Sequence, residues 1–516
     1  MSMGLNRRIF LQTATGVIAI PITGIGSVPA FAAKEELVVR FEYDITNMDP
    51  PNRTGSVEDN IILAVCQNLA RFKPGKLEWE PDAAKSIKQV SETEIDFELN
   101  PGQMFQGGYG EMTAEDVKFS LERFVKPGPD GKKAAYADDF GALDHVEVTG
   151  THTGKIILKN PAPALWVIGI CDGSGAILSK KATEALGEKI ATQLIGSGPY
   201  LFKDWKPKEQ IVLEVNPDYK GADQPHFKRI IAKPITEPKT AVIAFLAKEL
   251  AFTEIEPTAL PQVEADADSK TIKIDGIDYT WIGLNMEKPP LDDLKVRQAI
   301  RLGIDVDAII AGAYSGTVTR AKTLLAPQLL GHWAEAPVYP HDVEKAKALL
   351  AEAGHPNFNL TLTCLNDATA QATAEIVQAN LAEIGITVTI NALDSGAYWA
   401  LGSDDKSKDL ELALIPYSSK FDPSFQTQWF LSEQVGVWNW QRWRNEEFDK
   451  LHKEANSITD NDKRQAMYVR MQQLLDESAT CVWITHGVRD FAYAKWLEPS
   501  VLPNGSNWQF RFFKEA

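Results

Sequence analysis

Apolar positions along this chain recur in two periods that alternate almost to its end. Residues 36–43, rich in Val and Phe, predict an opening strand, and residues 95–99 alternate apolar and acidic side chains as a half-buried strand does. Shorter apolar runs at 211–215, 280–284, 360–364, 387–391 and 482–485, with an extended segment at 490–493, predict further strands. Spacings of three and four predict helices over 61–69, 238–247, 293–304, 343–353, 373–384, 446–455 and 462–477. Residues 162–170 and 173–177 read as a buried strand region. Strands that alternate with helices imply an α/β architecture.

Punctuation residues sharpen this outline. Asn100-Pro101-Gly102 marks a turn. Thr113 followed three residues later by Asp116 is a variant capping box that opens a helix through Arg123. Gly354 closes the 343–353 helix, and Gly196-Ser197-Gly198-Pro199 is a loop before the next strand. There is no internal repeat, low-complexity segment or long linker, so lobes joined by short crossing strands are expected.

The N-terminus adds a destination. Asn6-Arg7-Arg8-Ile9-Phe10-Leu11-Gln12 precedes an apolar run, 17–28, broken by Pro21, Gly24 and Gly26. That run falls short of the roughly 20 residues a membrane helix needs. Ala30-Phe31-Ala32 then supplies a cleavage pattern, so residues 1–32 are expected to be a twin-arginine signal peptide. No Cys precedes Cys66 to accept a lipid, so a periplasmic, unanchored product is expected. Cleavage removes Arg7 and Arg8 and moves the formal charge from −17 to −19. An acidic surface of that kind repels nucleic acid and anionic lipid. The remaining chain of about 480 residues exceeds a single core, and two or three lobes are expected.

Several stretches, in order, resemble family 5 extracellular solute-binding proteins, the receptors of peptide, nickel and opine ABC importers. They are 99–105 with 112–123, Gly196-Ser197-Gly198-Pro199-Tyr200, Asn216-Pro217-Asp218-Tyr219, 285–290, 293–299 and 344–354. The resemblance implies a two-lobed clamp of the periplasmic binding protein kind. It would be type II-like, with an enlarged N-terminal lobe and short hinge strands. Lobe one would comprise 33–280 and 482–516, and lobe two 281–481. A small ligand held between them by hinge closure would pass to permease subunits in the inner membrane. The receptor would act as a monomer, without cofactor, metal or catalytic residues. The shared motifs themselves do backbone work. Arg297, on an amphipathic helix, reads as a surface or ion-pair group rather than a ligand anchor.

Ligand chemistry is expected between residues 394 and 443, which hold five of the 13 tryptophans. Trp offers a flat apolar face and one donor, suited to sugars and other planar or aliphatic faces. Trp399, Tyr417, Ser418, Ser419, Asp422, Trp438 and Trp440 are the candidate ligand contacts. Peptide-binding members of the family carry an Asp three residues ahead of an acidic-Pro pair, where it receives the ligand's amino terminus. Asp422-Pro423 is that pair, and the anchoring position is Ser419, beside Lys420. Ser cannot neutralise an ammonium and Lys420 would repel it. A sugar conjugate, an opine-like compound or a modified peptide is expected. A shifted alignment with Asp422 as anchor, and so an ordinary dipeptide or oligopeptide ligand, is the alternative.

A periplasmic hydrolase is the rival class. Asp292-Asp293 and Asp404-Asp405 read as solvated caps, and no GxSxG, HExxH or phosphate-loop motif occurs. The eight histidines are scattered without metal-ligand spacing. Cys66, Cys171, Cys364 and Cys481 form no CxxC pair, and the sequence leaves their oxidation state open.

Overall fold

The computed structural model describes residues 35–127, 131, 133–402 and 404–516; the expected signal peptide, residues 1–32, lies outside them. The alternation read from the sequence resolves into three principal sheets. A seven-stranded mixed sheet runs in the order Tyr200–Lys206, Gln210–Val215, Arg229–Pro234, Glu36–Phe41, Phe252–Ile255, Val488–Ala494, Ser269–Asp275. Its core gathers Leu37, Val39, Phe252 and Phe491 with the C-terminal Trp508, Phe510 and Phe513. A four-stranded antiparallel sheet, Ala84–Ser91, Glu94–Leu99, Thr153–Leu158 and Leu143–Val148, is inserted within the same N-terminal part. A five-stranded sheet runs Ile386–Leu393, Phe358–Leu365, Leu412–Tyr417, Tyr279–Leu284, Cys481–Thr485. The helices Leu294–Gly303 and Ala368–Glu383 contribute to its core.

The strands therefore sort by position in the chain. Those between Tyr279 and Thr485 build the five-stranded sheet, and those before and after build the other two. This is a two-lobed α/β clamp. The chain passes between the seven-stranded and the five-stranded sheet twice, by residues 276–278 and by residues 486–487. The crossings run side by side: the Gly276 N–H donates to the Gly487 carbonyl at 3.1 Å. A Cβ on Gly276 would stand 2.7 Å from the His486 carbonyl, and Gly487 has φ +73°, so both positions favour glycine. His486 is buried, and its Nε2–H is shared between the Thr323 and Leu324 carbonyls at 3.0 and 3.2 Å. Burial pushes its pKa down to about 4, so the ring at the crossing is neutral. Among the described residues no helix is long and apolar enough to cross a membrane.

Local chemistry explains most elements. Thr113 and Asp116 form the expected capping box at the head of Ala114–Glu122, with the Thr113 N–H on Asp116 Oδ2 at 2.9 Å. Two expectations are corrected. Residues 162–177 hold a π-helical turn, Trp166–Ile170, and a 3-10 turn, Gly173–Gly175, in place of a strand. The reason is close approach: a Cβ on Gly175 would lie 2.2 Å from the Ile170 carbonyl, and one on Gly173 would strike the Asp59 carboxylate. Arg297 is not at the surface, and among the described residues it forms no ion pair. It is 4% exposed and donates to the carbonyls of Leu291, Asp292 and Ser478 at 2.7–3.0 Å, tying two helices together.

Candidate functional site

The site is organised around the end of the strand Leu412–Tyr417. This strand is central in its sheet, paired to Tyr279–Leu284 on one side and Phe358–Leu365 on the other, so nearly all its side chains are buried. Its chain then emerges as Ser418-Ser419-Lys420 beside the crossing between lobes. The Ser419 N–H donates to Asp278 Oδ1 at 2.8 Å, and Asp278 lies in the first crossing. Gln426 donates to the Ser419 hydroxyl and, at 2.9 Å, to the Lys420 carbonyl. Ser418 is exposed. The turn is thus fixed to Asp278 and to Gln426, with Lys420 directed onward.

Lys420 reaches the other lobe. Its Nζ forms an ion pair with Asp139, whose side chain is 4% exposed. Asp139 accepts from Ser174 Oγ at 2.6 Å, and Ser174 accepts from Arg53 at 2.9 Å. Arg53 also meets Asp59 at 2.5 Å and lies 4.0 Å from Asp172. Its guanidinium stands 3.7 Å from the centroid of the Tyr136 ring. Three carboxylates therefore share Arg53 and Lys420. Burial lifts the Asp59 pKa to about 7 against the pull of Arg53, and lifts that of Asp172 as well.

Against this polar seam stands the aromatic cluster, which the structure divides in two. Tyr417 and Trp440 are pillars of the core. Tyr417 packs edge-on to Trp281 at 5.0 Å and donates to the Trp438 carbonyl at 2.8 Å. Trp440 is 1% exposed, lies 5.2 Å from the fully buried Tyr398, and donates to the Val437 carbonyl at 2.8 Å. Trp399 and Trp438 are half-buried, 6.3 Å apart at 61°, as are Trp429 and Phe425, 5.5 Å apart. These four can offer a ring face to a ligand, and the two pillars fix where those faces point.

Asp422 is committed elsewhere. It is 3% exposed, both carboxylate oxygens accept from Arg464 Nη2 at 3.0 and 2.7 Å, and Oδ1 also accepts the Ser424 N–H. Nearby, a cavity of about 780 Å³ separates Trp79 and Trp166, stacked at 4.5 Å in the N-terminal lobe, from Phe421, Pro423 and Arg464. Sequence reasoning missed Arg53, Tyr136 and Asp139, and placed Phe425 and Trp429 in the aromatic region without counting them among the candidate contacts. Trp429 and Phe425 carried the same aromatic signal as their neighbours. Nothing in the sequence links Asp139 to Lys420, 281 residues away.

Residues 78–437 match the sequence profile described as bacterial extracellular solute-binding proteins, family 5 Middle. The chain belongs to this family of solute receptors. It is 29% identical over 475 residues to a probable D,D-dipeptide-binding periplasmic protein of Escherichia coli K12, covering 88% of this chain and 89% of the relative. It is 27% identical over 495 residues to the glutathione-binding protein of Pectobacterium atrosepticum, covering 93% of each. The solved structure of HbpA2 from Haemophilus parasuis shares the fold with a TM-score of 0.85 at 24% identity, covering 93% of this chain and 99% of that one.

Proposed function

We propose that this chain works in the periplasm as the monomeric receptor of an ABC importer. It captures a small polar organic ligand between its lobes and delivers it to the membrane permease. The ligand is a sugar conjugate, an opine-like compound or a modified peptide, without a free amine at the Ser419 position. One observation carries the ligand class. The position where a peptide receptor would present a carboxylate holds Ser419, hydrogen-bonded to Gln426 and to Asp278 of the crossing, followed by a lysine. Around it, Trp399, Trp429, Trp438 and Phe425 keep partly open faces suited to carbon-bound hydrogens and planar groups. The receptor performs no chemistry on what it binds.

A dipeptide or oligopeptide receptor is the second reading, favoured by the D,D-dipeptide and glutathione ligands named for its relatives. Thermal shift against sugars, opines, free-amine peptides and their N-acylated forms separates the two. The true ligand is expected to add about 2.7 kcal/mol at roughly 100-fold over Kd, with Kd micromolar or tighter, about −8 kcal/mol. Stabilisation by free-amine peptides alone gives the case to the second reading. Steady product formation from any compound would sink both and favour a hydrolase.

A further inference from the structure

Resting on the reading that the ligand carries no free amine, we propose that Lys420 is a specificity-determining residue. Its ammonium is the internal counter-cation of the carboxylates in the opposite lobe, and it fills the place a ligand's ammonium would take. The geometry is that of an alkylammonium seat. Lys420 Nζ pairs with Asp139 and lies 5.6 Å from the Tyr136 ring centroid and 5.5 Å from that of Phe425. A carboxylate flanked by ring faces is the arrangement that holds a primary ammonium.

The charge balance points the same way. Among the described residues, the carboxyl groups of Asp59, Asp139 and Asp172 lie within 4.0 Å of one other cation, Arg53. Lys420 supplies the second positive charge from the other lobe. The two partners also differ in freedom. Asp139 is fixed in the wall by Ser174 and is 4% exposed, whereas Lys420 is 28% exposed on a flexible four-carbon stem. The acid is the permanent part of the seat and the lysine is the replaceable part. Ser419 and Lys420 thus act together: one withholds the carboxylate from lobe two, and the other occupies the carboxylate of lobe one.

The test uses the full mature chain as wild type, Lys420→Ala and Lys420→Ala/Asp139→Asn, with circular dichroism to verify folding. Lys420→Ser, which also vacates the place, carries the same test if the alanine variant fails to fold. Ethylammonium is titrated against ethanol as the neutral control, read by thermal shift and calorimetry. Ethylammonium is expected to stabilise Lys420→Ala, with no effect of ethanol and none of ethylammonium on the wild type or the double variant. Alanyl-alanine is expected to bind Lys420→Ala about tenfold more tightly than the wild type, and N-acetyl-alanyl-alanine equally to both. An ethylammonium response that is equal in wild type and Lys420→Ala, or that survives Asp139→Asn, overturns the assignment. The reading on which it rests fails separately, if the wild type itself binds alanyl-alanine tightly.

Discussion

Lys420 and Asp422 stand two residues apart on one turn and make opposite commitments. Lys420 leaves its lobe, pairs across the cleft and stays 28% exposed. Asp422 turns inward to Arg464, and both side chains of that pair are at most 4% exposed. Asp422 is therefore a structural fastening, while the proposed specificity falls on the residues just before it. A charge pair between fully buried partners fixes a lobe. One in which a buried carboxylate meets a partly exposed lysine from another part of the chain leaves the lysine free to exchange with solvent and solute.

The largest effects should fall on the inward side of this comparison. Arg464→Met leaves the Asp422 carboxylate buried and unpaired, and is expected to destabilise lobe two by about 3–5 kcal/mol. Urea unfolding measures this. A loss below the level of a surface pair would place Asp422 with Lys420 after all. Trp440→Ala should cost a comparable 3–5 kcal/mol or so, because it empties a packed core position. Trp438→Ala should cost less stability and weaken ligand binding. Equal stability losses for the two, with unchanged affinity in the Trp438 variant, would dissolve the division between pillars and ligand-facing rings.

A third test asks whether the crossing between lobes is as dry as the Asp422 pocket. The His486 pKa is lowered from 6.5 to about 4 by burial, so the unfolded chain binds the proton more tightly. Its contribution to stability is whole above pH 6.5 and declines as the pH falls towards 4, by at most about 3 kcal/mol. His486→Gln retains a donor for the Thr323 and Leu324 carbonyls, and should flatten the fall in stability over that window relative to wild type. Parallel pH profiles would mean that His486 titrates as in water. The smallest stability effect belongs to Lys420→Gln, below that of Arg464→Met, because the buried Asp139 keeps Ser174 and Arg53 as partners. A loss as large as that of Arg464→Met in the same urea series would make Lys420 a fastening too.

Much of the scaffold was legible because local chemistry and tertiary position agree there. Glu446–Ala455 begins and ends where its apolar spacing predicts, capped by Asn445 on the Phe448 N–H at 2.9 Å. Other elements were only half legible. Ala368–Glu383 starts five residues before the predicted 373, because its first turn, Ala-Thr-Ala-Gln, has no apolar period. The Asp367 cap sets its start instead. Ser56–Val65 begins before the predicted 61 for a similar reason, since its first turn carries the buried polar residues Glu58, Asp59 and Asn60. In the site, the tryptophan density announced an aromatic neighbourhood. Which rings are pillars depended on contacts with Trp281 and Tyr398, which no sequence window contains. The role proposed for Ser419 rests on its motif. The destination of Lys420 does not, since it is a matter of how two lobes meet.

The four cysteines bear on how this protein is made. All are free and buried, and burial raises the Cys66, Cys171, Cys364 and Cys481 thiols above their ordinary pKa, which suppresses the reactive thiolate. No oxidation event is needed to complete either lobe. The described fold is the same product in a reducing or an oxidising compartment. Its thermal midpoint should be indifferent to dithiothreitol, and its assembly can be finished on either side of a membrane.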